Sequence, residues 1–407
     1  MNEVYILKHK NVDAAIIEFN SISDTANYIK IKEPEYTSFM KDMSVEEFNL
    51  WWKFRAIPDS RVGIKDILTQ NGCDTSLSLL KKNLGLSLTD TFWICPIGID
   101  LKWEDVSLFS HVDKKVSFKS ITDVDIINNP NASLSGNLRK YADFVDGRWK
   151  LYKYGETSDF QQSINEKFAS LINERQGFDE YVKYITEKIN NEVVSICDFF
   201  TSEDIEMVSG FEIMYSVKKD NDTSDFEHYI NLCKRNGLDD LSIREFMDYQ
   251  TLLDFVITNK DRHYRNFGLL RNANSMEFIS AVPIFDNGNS MFYDKSIELS
   301  RIEILEIPIS SFYKSEEKLL TNISNKNLLK LDLLPEPKEV FDYYVDNGIS
   351  EARAKIISLN YSHKLDLLLE FQKGRKISLY NEKSNKDFVE ERYYNKAVKE
   401  LETMKLF

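Results

Sequence analysis

Cysteine is scarce in this chain. Its four copies, Cys73, Cys95, Cys197 and Cys233, stand far apart and form no C-x-x-C pair, which excludes a structural zinc site of the usual spacing. Thiols packed as small apolar residues in a reducing compartment are the expectation. Five histidines are scattered without an H-E-x-x-H pattern. No apolar run approaches the ~20 residues of a membrane helix, and Met1 to Phe19 lacks the basic-then-apolar order of a secretory signal. A cytoplasmic protein with no membrane partner is therefore expected. Positive charge is in deficit: 52 Lys and Arg face 66 Asp and Glu, a net −14. Such a chain repels a phosphate backbone, so direct nucleic-acid binding is not expected. Internal repeats and low-complexity tracts are also missing.

What is present reads as a soluble globular chain, 42% hydrophobic and 29% charged over 407 residues. That length exceeds one ordinary core and calls for at least two domains. Residues 1–125 read as an aromatic, rather irregular accessory domain, its tryptophans Trp51, Trp52, Trp93 and Trp103 expected in the core. Leu77, Leu80 and Leu84 predict a helix that Gly85 ends. The turn-rich stretch Asp123 to Ala132 suggests a boundary. Beyond it, Tyr141 to Val145 and Trp149 to Tyr154 flank Asp146-Gly147, a two-residue hairpin signal, and Gln162 to Gln176 has helical periodicity. Residues 126–218 thus form a small β-rich span. Residues 219–407 read as mainly helical, with candidates at 243–257, 314–331, 336–346, 350–373 and 385–405.

The chemistry concentrates in Asn259-Lys-Asp-Arg-His-Tyr-Arg-Asn-Phe-Gly268 and Pro283-Ile-Phe-Asp-Asn-Gly288. Asp261 and Asn266 have the D-x-x-x-x-N spacing of a kinase catalytic loop. A carboxylate there accepts the attacking hydroxyl's hydrogen bond. An amide oxygen one short loop later binds Mg²⁺ without adding a second charge. Asp286 follows an apolar, strand-like run, Phe278 to Phe285, with Gly288 two residues on, as in D-F-G; its carboxylate suits a metal that bridges phosphates. Lys153 shares the inward face of its strand with Trp149 and Leu151 and is a candidate phosphate lysine, with Glu166 as its helix partner. Lys150 and Glu174 are the rivals. Ser133-Leu-Ser-Gly-Asn-Leu-Arg-Lys140 is a small Gly-containing turn able to lay backbone N–H groups over phosphates; it matches neither G-x-G-x-x-G nor G-x-x-x-x-G-K-[ST]. Phe211 to Ser216, strand-like, is the candidate adenine hinge.

Taken in order, S-L-S-G, a strand lysine, N-E in a helix, N-K-D-R-H-x-x-N-F-G and P-I-F-D-N-G resemble the HipA-like Ser/Thr kinases over residues 130 to 375. The resemblance implies an α+β, two-lobed protein-kinase-like fold: a small β-rich lobe and a mainly helical large lobe, here with an N-terminal domain added. It implies ATP and Mg²⁺ as cofactors and a protein hydroxyl as acceptor. By it, Asp261 is the catalytic aspartate, Asn266 and Asp286 are metal ligands, and Lys153 holds ATP phosphates in a pair with Glu166. Ser133, Ser135 and Gly136 line the phosphate loop, either serine being the autophosphorylation site. His263 supports the catalytic loop by hydrogen bonding beside the nucleotide. Relatives include toxins that act on aminoacyl-tRNA synthetases and are held by a DNA-binding antitoxin, so a toxin role and an inhibitory antitoxin-like partner come with the resemblance. Residues 1–125 depart from the usual N-terminal subdomain, and the substrate is not carried over with it. A lipid- or sugar-directed small-molecule kinase, a nucleotide-binding pseudokinase and a metal-dependent hydrolase remain alternatives.

Overall fold

The computed structural model describes residues 2–37, 43–110, 129–134, 136–157, 159–384 and 391–403. They are α+β in class and fall into two compact units. The first comprises Met1–Lys153, Asp198–Val208 and Leu269–Ile279; the second comprises Tyr154–Cys197, Ser209–Gly268 and Ser280–Phe407. The expected cut near residue 125 falls on residues outside those described.

The first unit is more regular than its sequence suggests. Strands β1 (Asn2–His9), β2 (Val12–Asn20), β3 (Ala26–Ile31) and β4 (Phe92–Pro96) form one antiparallel sheet in the order β3-β2-β1-β4. Alternation explains β2: Ala15, Ile17 and Phe19 point inward and are fully buried. The helix Val45–Arg55 starts at a capping box made by Ser44 and Glu47 and lays Phe48, Trp51 and Trp52 into the same core as Phe19, Trp93 and Trp103. The expected core role of the four tryptophans holds. A fifth, Trp149, is half-buried against this core; no tryptophan occurs after it. A bidentate Arg55–Asp90 pair, both bonds 2.6 Å, closes the unit's interior, with Arg55 also donating to the Gly85 and Phe92 carbonyls.

The expected helix is present as Ser76–Lys82 and is followed by Gly85 at φ +66°. The hairpin is present as β5 (Lys140–Val145) and β6 (Arg148–Tyr154), turned by Asp146 and Gly147, both at positive φ. β7 (Ile185–Ile189) and β8 (Glu192–Asp198) make a second hairpin. β9 (Ile205–Ser209), β10 (Gly268–Asn272) and β11 (Phe278–Ala281) form a three-stranded sheet in the order β11-β10-β9.

The second unit is mainly helical, with long helices at Gln161–Gln176, Asp240–Ile257, Pro337–Asp346, Glu351–Gln372 and Arg392–Thr403. Phe168, Tyr344 and Tyr361 pack ring against ring in its core. Two expectations fail. Residues 314–331 are not one helix: Glu316–Leu319 is a single turn and Leu331–Leu333 a 3-10 turn. Between them the Ser324 and Asn325 amides donate to the Asp248 carboxylate instead of to helix carbonyls. The segment Gly210–Tyr215 is a helix rather than a strand, because Ser209 and Glu212 form a capping box at its start. Among the described residues no helix is long and apolar enough to cross a membrane.

Gly85 gives a direct test of the aromatic core. A Cβ there would lie 2.7 Å from the Trp52 ring, on backbone that L-residues rarely adopt. Gly85→Ala should therefore cost about 2–3 kcal/mol, read as a lower urea midpoint with an unchanged slope.

Candidate active site

The centre of the second unit is a buried arginine. Arg262 donates from Nε and Nη2 to the two oxygens of Asp254, at 2.9 and 3.0 Å. Its Nη2 also donates to Asn287 Oδ1 at 2.6 Å, and Nη1 to the carbonyls of Asn266 (2.9 Å) and Phe285. One guanidinium thus ties the Asp240–Ile257 helix to both chemical segments. Neighbouring carboxylates, Asp254 foremost, hold its pKa above the ordinary value although burial opposes them. Asn259 extends the tie: Nδ2 donates to Asp254 at 2.9 Å, while Oδ1 accepts from the Asp261 amide at 3.1 Å.

These bonds place the candidate residues. Asn266 donates through Nδ2 to the Asp261 carbonyl at 2.8 Å. A carbonyl only accepts, so the amide nitrogen must face it and Oδ1 is the atom left to ligate. Asp261 accepts at Oδ2 from Asn289 Nδ2, 2.7 Å away. Asn289 in turn accepts from Gln162 Nε2 at 2.8 Å, so the Gln161–Gln176 helix sets the angle of the Asp261 carboxylate through a single amide. Asp286 sits at φ +58°, a backbone region sparsely used by non-glycine residues and concentrated at functional sites. Its amide approaches the Tyr184 hydroxyl at 3.4 Å. Both Asp261 and Asp286 act electrostatically on His263, although burial outweighs them and keeps its pKa below the usual histidine value. His263 accepts at Nδ1 from the Arg265 amide at 3.3 Å, a bond inside the segment Asn259–Gly268.

Glu166 is buried and faces the Asp286 loop, accepting from the Asn287 amide at 2.8 Å. Asn165 beside it donates to the carbonyls of Gly288 (2.9 Å) and Ser290 (2.7 Å). Gly288 permits this approach: a Cβ there would stand 3.2 Å from the Gln162 carbonyl. Its rival Glu174 is exposed in an ion pair with Lys183. Lys153 lies in the first unit and is 3% exposed, whereas Lys150 is only half-buried. A lysine that buried is rare.

The phosphate-loop candidates also lie in the first unit. Ser133 ends a 3-10 turn, Pro130–Ser133, and is buried with no partner for its hydroxyl among the described residues. Gly136 has φ +91°; Ser135 lies outside the described residues. Sequence reasoning missed Asp254, Arg262, Asn165, Gln162 and Asn289. The R in N-K-D-R-H was the available signal for one of them, since an arginine inside a catalytic loop needs an acid to bury it.

Asn266 Oδ1 and the Asp286 carboxylate are hard oxygen donors, which fits Mg²⁺ rather than a softer metal. The described residues hold no cluster of three or more His, Cys, Asp or Glu of the kind that makes a closed protein cage for a metal. A partial donor set of this kind suits an ion that shares its coordination with substrate phosphates.

No family model matches the chain. It is 24% identical to the serine/threonine-protein kinase CtkA of Helicobacter pylori over 222 residues, covering 45% of this chain and 68% of that protein. Two solved structures are similar at lower identity. The Helicobacter pylori proinflammatory kinase CtkA has a TM-score of 0.42 at 18% identity, covering 64% of this chain and 96% of its own. HipA of Shewanella oneidensis MR-1, crystallised with HipB and operator DNA, has a TM-score of 0.46 at 12% identity, covering 98% and 95%.

Removing the central guanidinium has a calculable cost. Arg262→Met leaves Asp254 charged and buried without its cation, a loss of about 3–5 kcal/mol. Urea unfolding should show that loss, whereas Arg265→Met, outside this network, should stay within about 1 kcal/mol. Its sequence is thus similar to that of a serine/threonine-protein kinase, and the segment Asn259–Gly268 and the D-N-G segment are joined through one buried arginine.

Proposed function

We propose that this protein is an ATP- and Mg²⁺-dependent Ser/Thr protein kinase. The observation that carries the reading is the joining of the Asp261–Asn266 loop to the Phe285–Asn287 segment by one buried guanidinium. That arrangement supports one reaction: transfer of the γ-phosphoryl group from ATP to a serine or threonine hydroxyl.

Asp261 is oriented by Asn289 through Oδ2, which leaves Oδ1 to accept the hydrogen bond of the attacking hydroxyl. The new bond joins that oxygen to the γ-phosphorus as the β–γ bridging bond breaks. The hydroxyl proton passes toward Asp261 and ADP leaves. Asn266 Oδ1 and Asp286 would hold Mg²⁺, which when bound neutralises the β- and γ-phosphate oxygens. Lys153 offsets further phosphate charge and Glu166 is its proposed partner. Catalysis is then positioning and electrostatics rather than covalent chemistry.

The same reading extends to self-modification in the Ser-rich loop, at Ser133 or Ser135. The Ser133 hydroxyl is buried with no hydrogen-bond partner among the described residues, and either serine is a candidate. The reading concerns the reaction; a toxin role and an antitoxin-like partner would follow from the family resemblance alone.

Purified protein incubated with labelled ATP and Mg²⁺, alone and with lysate, tests this directly. Labelled protein is expected; labelled metabolite would assign a small-molecule kinase, and nucleotide binding without transfer a pseudokinase. Asp261→Asn should lower transfer at least about 10³-fold while calorimetry still shows ATP binding. Asp286→Ala should abolish the Mg²⁺-dependent part of that binding. Unchanged turnover in the Asp261 variant refutes the assignment.

A further inference from the structure

Asp286 lies between two peptide planes, and both are pinned. The plane joining Phe285 to Asp286 is rigid. Its carbonyl oxygen, on Phe285, accepts from Arg262 Nη1. Its N–H, on Asp286, points to the Tyr184 hydroxyl at 3.4 Å. The plane joining Asp286 to Asn287 is held through the Asn287 N–H, which donates to Glu166 at 2.8 Å. A residue's φ and ψ are the rotations of its two flanking planes about Cα, so these three side chains together set the direction of the Asp286 Cα–Cβ bond. They set it at φ +58°, a region aspartate uses sparsely. Turning the first plane over would release that conformation, and the bonds to Tyr184 and Arg262 oppose the turn.

Tyr184 is itself held in place. It is buried, and the segment before it runs beside the D-N-G segment as a short parallel pair: the Ile284 amide donates to the Glu180 carbonyl and the Val182 amide to the Ile284 carbonyl, both at 2.9 Å. The Tyr184 amide donates to the Ser170 hydroxyl at 3.0 Å, and that hydroxyl donates to the Glu166 carbonyl at 3.2 Å. The phenol and the carboxylate that pin Asp286 are therefore referred to one helix, Gln161–Gln176. A phenolic oxygen accepts as well as donates, so Tyr184 takes a bond from an amide that a phenylalanine would leave unmet.

We infer that Tyr184 is a positioning residue for Asp286: its hydroxyl latches the Phe285–Asp286 peptide in the orientation that presents the Asp286 carboxylate to a metal. The inference rests on the reading of Asp286 as a Mg²⁺ ligand. It also accounts for the letter that departs from D-F-G. Asn287 has no ring to wedge into a core, and its side chain is committed to Arg262 at 2.6 Å. Hydrogen bonds to the backbone then do what ring packing cannot do here. One hydrogen bond contributes modestly, so its loss shifts the population of the latched peptide rather than abolishing the site. An excess of metal, which binds the latched form, pulls that population back.

Mn²⁺, a paramagnetic substitute for Mg²⁺, is the probe. Its half-saturation is read by water proton relaxation at saturating ATP, and ATP binding without metal is read by calorimetry. Tyr184→Phe should raise the Mn²⁺ half-saturation about fivefold, the value of one hydrogen bond, and leave metal-free ATP binding within about twofold. Transfer by this variant should recover as Mg²⁺ is raised. Tyr181→Phe, in the same segment but paired with Ile284 through the backbone, should match wild type. Urea unfolding of both variants reports the fold separately. Amide hydrogen exchange on the wild type needs no variant to fold: the Asp286 N–H should exchange as slowly as those of Ile284 and Asn287, and free exchange at Asp286 alone overturns the latch. A Tyr184→Phe half-saturation equal to wild type, whatever its urea midpoint, overturns the inference and leaves the kinase reading standing. A wild type that binds no Mn²⁺ with ATP removes both. Shifted Mn²⁺ binding in a protein that transfers no phosphate supports the inference and removes the kinase reading.

Discussion

The Asp254–Arg262 pair is the constraint on which the site in the second unit depends. Two opposite charges inside a helical core are tolerated only when every remaining donor and acceptor is satisfied. Here the surplus donors of the guanidinium are satisfied by the backbone carbonyls of Asn266 and Phe285 and by the Asn287 side chain. The electrostatic requirement of the pair and the spatial requirement of the chemistry are met by the same bonds. Neither segment can drift without exposing a buried charge to an unmet demand.

A second layer fixes direction rather than position. Gln162, Asn165 and Glu166 lie within one helical turn and a quarter, and all three bond to residues 287–290. The side chains are two amides and one acid, and the absent side chain at Gly288 lets the helix backbone come close. The result is a polar seam that is nearly closed, stiff and specific. The unusual backbone of Asp286 sits inside this seam, where neighbouring bonds hold it in a conformation it would not choose alone.

Much of this was legible in the chain of letters. The Asn259–Gly268 and D-N-G segments are local patterns, the hairpin turn is a two-residue signature, and the helix at 161–176 has a clean period. The residues that align the site were not legible. Asn289 and Gln162 are ordinary polar letters until the fold brings positions more than a hundred residues apart into contact, and no local period encodes that. The N-terminal sheet was hidden because its strands mix aromatic, charged and aliphatic residues, so alternation shows only once the buried face is known. The 314–331 stretch misled in the opposite sense: its leucines suggested a helix, but its asparagines and serines find side-chain acceptors first. The segment Phe211 to Ser216 likewise looked extended because its capping serine, Ser209, lies outside the apolar run.

The tryptophan distribution has a practical consequence. All five indoles belong to the first unit, at positions 51, 52, 93, 103 and 149, while most of the described helical residues belong to the second. Intrinsic fluorescence therefore watches one unit and far-ultraviolet dichroism is weighted toward the other. A denaturation followed by both signals reads the cooperativity of the whole chain without any label: superimposed curves mean that the units melt as one, and separated curves mean that each keeps its own thermodynamics.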